Sequence, residues 1–324
     1  MLDFAFFQKA LKMPKILLIS RGLFKNWLTA SLRYFLNIRG LVKNGIINVK
    51  CKDGSVVPLP TRLYGLLLEG LSNGLFEQLR IKEKVVVVKG IEIPFQELLA
   101  SECILDALDK GWSYDKTCGW WSKDDVKFRH MRYYILEVFD HDEHKDIDVY
   151  DKTVVDIGAG YGETAIYFLK RGARQVIAVE PCPKVFKEMV ENLRLNEVED
   201  RVIPINAAIS GTRRVTSVEC PGERATANVI TLGDLARRYD LRGGVLKMDC
   251  EGCEYDVILN DYEHVRLFDE VYFEYHAFIT KKPVELLLKR LSEDFVCKIV
   301  SDEDFYRRHG FNEKLLGLVK CVKK

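Results

Sequence analysis

Apolar and polar positions alternate differently in the two parts of this chain. Beyond residue 126, apolar runs of four or five residues take turns with segments of helical period, the pattern of strands that feed helices in a doubly wound sheet. The first run is Val154 to Ile157, and Glu163 to Lys170 follows with Ile166 and Leu169 on one helical face. Val176 to Val179 is a second run, ending at Glu180. Glu188 to Leu195 is helical in pattern until Asn196 breaks it, and Arg201 to Ile205 is a third run, followed by Asn206 and Ala207. Thr231 with Asp234 three residues on is a form of capping box and starts another helix. Val245 to Met248 and Val271 to Tyr275 are further strands. Residues 126–324 are thus predicted to form one α/β domain.

Residues 1–125 have another character. Between residues 16 and 36 the chain is rich in Leu, Ile and Phe; Phe24, Leu28, Leu32 and Phe35 recur at helical spacing, although Arg21 falls near the same face. Ile46 to Val49, the turn pair Asp53-Gly54 and Val56-Val57 read as a hairpin. Lys84 to Val88, Gly90 and Ile91 to Ile93 read as a second. A small α+β accessory module of basic helices and hairpins is therefore expected before the larger domain, with the boundary near Ser122 to Asp125.

Charge sharpens that division. The net charge is only +1, but residues 1–52 carry ten Lys or Arg against Asp3 alone, +9, and the remainder carries −8. Such asymmetry points to a polyanionic surface as partner, membrane or nucleic acid. The plainer expectation is helices packed on the larger domain with their basic side in solvent. No run of about 18 uncharged apolar residues occurs, so no membrane-spanning helix is expected. Nine cysteines, an odd number, are scattered through the chain, which suggests a reducing cytoplasm. Cys250 and Cys253 are read as small packing residues, and His141 and His144, in a charged stretch, as solvated.

The candidate chemistry begins at the end of the first strand. Asp156-Ile157-Gly158-Ala159-Gly160-Tyr161-Gly162 is a glycine-rich strand-to-helix turn that lets backbone approach a ligand. Glu180, 24 residues after Asp156, stands where a doubly wound fold grips a ribose diol. A dinucleotide fingerprint would have a third glycine where Glu163 stands, and an acid at a helix start repels pyrophosphate. S-adenosylmethionine (SAM) has no phosphate and carries a sulfonium and an ammonium, which tolerate Asp156 and Glu163. The turn resembles motif I of the class I SAM-dependent methyltransferases. That resemblance implies a Rossmann-like seven-stranded sheet, a cofactor site including Pro181 beside Glu180, and Asn206 and Ala207 facing the adenine.

Two more stretches lie downstream. Leu246-Lys247-Met248-Asp249-Cys250-Glu251-Gly252-Cys253-Glu254 is a strand that ends in acids, and Glu274-Tyr275-His276 ends another. Residues i and i+2 share a strand face, so Glu274 and His276 point the same way. Together these look like the FkbM family of methyltransferases over about residues 126–322. Its members are mostly O-methyltransferases, which implies a hydroxyl on a sugar, glycan, lipid-linked or other small-molecule acceptor. On this view His276 is the general base, since an unperturbed imidazole titrates near neutral pH. Glu274 orients it or meets substrate, and Asp249 and Glu251 bind hydroxyls or serve as base. No metal is assigned; Mg²⁺ on Asp249 and Glu251 is the weaker alternative.

Two other functions stay open. One is an RNA methyltransferase that uses the basic N-terminal region, against which the Asp249-Cys250-Glu251-Gly252 segment sets two acids near a phosphate backbone. The other is a non-catalytic nucleotide-binding protein. The expected protein is cytoplasmic, with residues 1–52 able to meet a membrane.

Overall fold

A computed structural model describes residues 13–42, 45–100, 103–212 and 216–324. The chain divides into two compact units, the first ending at Leu136 and the second running from Glu137 to Lys324.

The second unit is built on seven strands: β1 (Thr153–Ile157), β2 (Gln175–Val179), β3 (Val202–Ile205), β4 (Val245–Met248), β5 (Glu270–His276), β6 (Phe295–Ile299) and β7 (Leu316–Lys323). Their order across the sheet is β3-β2-β1-β4-β5-β7-β6. All neighbours are parallel except β7, which runs antiparallel to both β5 and β6. This is the class I methyltransferase fold, as the strand–helix alternation predicts. The central strands are buried on both faces because helices cover both; every residue of β1 and of β4 is buried.

The two faces differ in chemistry. Val155, Ile157, Leu246, Met248, Val271, Phe273 and Tyr275 join one large apolar cluster. The alternate positions turn the other way, and they include Asp156, Lys247, Tyr272 and Glu274. Lys247 lies beside Asp156 and Tyr272 in the register of β1, β4 and β5. A polar row thus crosses the middle of the sheet.

Helices follow the strands. α1 (Glu163–Lys170) starts from Gly162, whose φ of 88° is a left-handed conformation that suits glycine. α2 (Pro183–Leu195) has Pro183 in its first turn, where a missing N–H costs nothing. α3 (Leu232–Ala236) has the reciprocal Thr231–Asp234 capping box expected from the sequence. α4 (Cys253–Asn260) opens at Gly252, φ 106°.

In the first unit, helices Met13–Leu23 and Trp27–Ile38 flank Phe24, which lies outside both. Phe24 is buried and stacked on Tyr64, whereas Leu28 and Leu32 are exposed. The single helical face expected from Phe24 to Phe35 is therefore broken by the turn at Lys25-Asn26. Ile46–Lys50 and Val56–Pro60 form the first hairpin around Asp53-Gly54. Val85–Val88 and Ile91–Pro94 form the second, with Gln78–Arg80 added at its edge. A third small sheet, Ser113–Asp115, Trp120–Lys123 and Val126–Phe128, follows. No helix among the described residues is long and apolar enough to cross a membrane.

The cysteine expectation is corrected. Cys182–Cys220, Cys250–Cys253 and Cys297–Cys321 are disulfide-bonded. Cys51, Cys103 and Cys118 are not disulfide-bonded. Cys250 and Cys253 are thus bonded to each other rather than simply packed, and the premise for a reducing compartment is removed.

Candidate active site

The site sits at the carboxyl ends of β1, β2, β4 and β5, where open α/β sheets take ligands. Gly158 leaves β1 with φ 75° and donates its N–H to the Val179 carbonyl at 2.9 Å. A Cβ on Gly158 would stand 1.7 Å from the Asp249 carbonyl oxygen. The glycine is required because the turn after β1 touches the backbone after β4. Gly160 and Gly162 also have positive φ. Ala159 and Tyr161 are buried between them, and Tyr161 is tied down by Asn192, whose amide donates to its carbonyl at 2.9 Å.

Glu180 closes the far wall. Its carboxylate accepts from the Cys182 N–H at 2.8 Å and the Gly160 N–H at 3.2 Å. Burial lifts its pKa to about 7 against those two N–H donors, while Lys247 and Asp156 act in opposite directions on it. A ribose diol donates hydrogen bonds to the ionised form, so the site must shed a proton to hold the ligand. SAM affinity is therefore expected to rise through pH 7 and to fall below it by up to roughly tenfold per pH unit. Calorimetry between pH 6 and 8 reads this, and a flat profile in the native protein would refute the contact. Glu180→Gln should bind weakly at every pH.

Three expectations need correction. Asp156 is fully buried and paired with Lys247, whose Nζ lies 3.1 Å from its Oδ1 and 3.1 Å from the Gly158 carbonyl. Thr164 also donates to Asp156. This aspartate braces the turn from beneath instead of meeting the sulfonium. Glu163 is buried, accepts from the Tyr161 N–H at 2.8 Å, and has its pKa pushed up to about 8 by burial. It is protonated at neutral pH and offers no charge to the cofactor. Asn206 spends its amide on the Glu180 carbonyl (2.8 Å) and the Pro181 carbonyl (3.2 Å), so it fastens the turn after β2. Ala207 is buried beside it.

The expected acceptor side is a cluster around His276, which is 3% exposed. Its Nδ1 lies 3.3 Å from Glu254 Oε1, which also accepts the His276 backbone N–H at 2.8 Å. Its Nε2 faces Asp249 at 3.8 Å, Glu251 at 3.6 Å and Glu274 at 3.6 Å. The four residues expected here from the sequence are thus brought together. The role given to His276 changes, however. Burial presses its pKa down, but the hydrogen-bonded Glu254, then Asp249 and Glu251, outweigh that and raise it to about 9. That makes the ring an imidazolium at neutral pH, the opposite of the neutral imidazole that the expected general base requires. Glu274 is pushed well up by burial and then by Asp249. Burial works against ionisation of Asp249, but Lys247 and His276 prevail and hold its pKa low.

Sequence reasoning passed over Glu254, Lys247 and Thr164. Glu254 is wholly buried and also accepts the Gly252 N–H at 3.0 Å. A lysine inside an otherwise apolar strand was the available signal for Lys247. His144, expected in solvent, is buried edge-on to Tyr272, and burial together with Lys247 lowers its pKa to about 3. His141 is half-buried.

Residues 144–231 match the family model of the TRM5/TYW2 methyltransferase domain. That segment contains the glycine turn, Glu180 and Asn206 and stops short of Asp249. A tRNA(Phe) (4-demethylwyosine(37)-C(7)) aminocarboxypropyltransferase of Pyrococcus horikoshii is 33% identical over 102 residues, 32% of this chain and 34% of that protein. A ribosomal protein L11 methyltransferase of Alteromonas mediterranea is 46% identical over 56 residues, 17% of this chain and 19% of that protein. The chain therefore spans about a third of one curated relative and about a fifth of the other. Among solved structures, M. jannaschii TYW2 in complex with AdoMet aligns with a TM-score of 0.38 at 17% identity, covering 63% of this chain and 84% of that one.

The matching family model overturns the FkbM resemblance. The sugar or other small-molecule hydroxyl falls with it, both as acceptor and as partner. The class I fold and SAM as the cofactor that suits the turn both stand.

Proposed function

We propose that this chain is a SAM-dependent methyltransferase that acts on RNA, with tRNA as the substrate class. The observation that carries the reading is the match of residues 144–231 to the TRM5/TYW2 methyltransferase domain, which covers the whole cofactor half of the site. The tRNA named for the Pyrococcus horikoshii relative supports it. So does the +9 charge of residues 1–52, the electrostatic footprint of a polyanion-binding region.

The reaction is an in-line displacement. A nucleophilic atom of the RNA forms a bond to the methyl carbon as the carbon–sulfur bond breaks, and the electron pair stays on sulfur in S-adenosylhomocysteine. A proton on the nucleophile leaves to solvent or to an ionised carboxylate. The protein's part is to hold donor and acceptor in line, which supplies much of the rate. The turn after β1 fixes the sulfonium end, and the strand ends of β4 and β5 frame the acceptor.

A second reading has its own support. The relative's name describes transfer of the aminocarboxypropyl group, which is the other arm of the same sulfonium. One experiment separates the two. Unmodified bulk tRNA is incubated with SAM labelled in the methyl group, and in parallel with SAM labelled in the carboxyl carbon. Methyl label in RNA is the expected result. Carboxyl label alone would install the second reading, and neither label in any RNA pool would sink both.

A further inference from the structure

The crevice at the ends of β4 and β5 concentrates more carboxylates than its protein cations balance. We infer that Asp249, Glu274 and the Nε2 atom of His276 form a divalent metal site of the Mn²⁺ type, with Glu251 at its solvent edge. The argument rests on geometry. One atom each from Asp249, Glu274 and His276 lies within 4.8 Å of the others. His276 is 97% shielded from solvent, yet its Nε2 reaches no acceptor at hydrogen-bond distance. Three carboxylates stop at 3.6–3.8 Å, Asp249 and Glu274 lying hydrogen-bonded to each other. A plain imidazolium–carboxylate pair closes to about 2.7–2.9 Å. Neighbouring ligands around an ion about 2.1 Å from each stand about 3 Å apart, so the His276 contacts with Asp249 and Glu274 need to close by less than about 1 Å to share one.

The surroundings are those of a ligand histidine. The other ring nitrogen, Nδ1, faces Glu254, a carboxylate that is wholly buried and fixed by the backbone N–H groups of Gly252 and His276. That carboxylate–histidine arrangement sets the tautomer, aims the Nε2 lone pair into the crevice and raises ligand basicity. Exposure is graded outward, from 13% at Glu274 through 37% at Asp249 to 70% at Glu251. An ion thus has an entry path and keeps positions open to water or an acceptor. One imidazole with two or three carboxylates is harder than a zinc set and admits nitrogen more readily than a magnesium set, which points to Mn²⁺. With RNA as the acceptor, as the proposed function has it, the ion would turn a phosphate-repelling crevice into an attracting one.

Another carboxylate–histidine group of this unit, Glu137, Glu143 and His309, offers a built-in comparison. There Arg308 lies 3.0 Å from Glu143 and His309 lies 3.1 Å from Glu137, so its acids already have close cationic partners.

The test uses untagged full-length protein, Mn²⁺ alone and no RNA, with bound ion read from the loss of the free Mn²⁺ electron paramagnetic resonance signal. One equivalent should bind. Glu274→Gln and His276→Gln should each weaken it at least about tenfold. Glu254→Gln, which acts only through the ring of His276, should weaken it by about 10–100-fold. Glu251→Gln, on the surface, keeps the test sound if a buried variant unfolds, as circular dichroism would reveal; it should weaken binding by a smaller factor. Glu137→Gln should leave affinity unchanged. No binding to the native protein, or equal binding by folded Glu274→Gln, would overturn the site. Because RNA is absent, either result leaves the labelling experiment to judge the RNA reading separately.

Discussion

Gly158→Ala is expected to cost at least about a hundredfold in SAM affinity. A Cβ at this position would meet the Asp249 carbonyl oxygen at 1.7 Å, on a backbone with φ 75°. The left-handed conformation alone costs an alanine about 1–2 kcal/mol. Overpacking a rigid contact costs about 1–3 kcal/mol more. Neither atom can yield cheaply, since both are backbone and each belongs to a central strand end. The strain is relieved by pushing the turn away from β4, and that movement displaces the amides that wrap the ligand. Calorimetry with SAM and S-adenosylhomocysteine reads the loss, and circular dichroism checks that the domain stays folded. A folded variant that binds within about tenfold of the native protein would show that the turn is not the cofactor site.

Lys247→Met should destabilise the second unit by about 3–5 kcal/mol. Lys247 is 2% exposed and Asp156 fully buried, so the substitution strands a carboxylate without its cation. Thr164 would still donate to Asp156, but one neutral hydroxyl does not replace an ammonium at 3.1 Å. The double variant Asp156→Leu with Lys247→Met removes both charges and should recover much of the stability, because the penalty belongs to the uncompensated ion. It should not recover cofactor binding, since Lys247 also holds the Gly158 carbonyl. Urea unfolding of the two variants measures the difference. Equal stability of the single variant and the native protein would show that the pair is dispensable.

The sequence reveals those features that local pattern determines. Strand, turn and helix from Thr153 to Lys170 are visible because strand pattern, glycine placement and helical period agree within 18 residues. The convergence of Asp249, Glu251, Glu274 and His276 is visible because parallel strands bring their carboxyl ends to one edge. What is not visible depends on distant neighbours. The protonation of His276 and Glu163 is set by burial and by acids on other elements. The disulfides Cys182–Cys220 and Cys297–Cys321 join cysteines whose proximity only the folded sheet and its loops create, whereas Cys250–Cys253 closes within a C-x-x-C. The family resemblance misled because it rested on two short acidic strand ends, whereas the matched family domain rests on the longer cofactor half.

The contact between Gly158 and the Asp249 carbonyl has a mechanical meaning. Donor and acceptor halves of the crevice are mounted on adjacent strands of one sheet, touching through backbone and pinned from below by Lys247. They form one rigid jig. Folding has then already ordered the two halves against each other, so binding of cofactor and acceptor is enough to bring sulfonium and nucleophile into line. A change that loosens the β1–β4 seam without entering the crevice would therefore slow transfer while leaving the affinity for each substrate nearly intact.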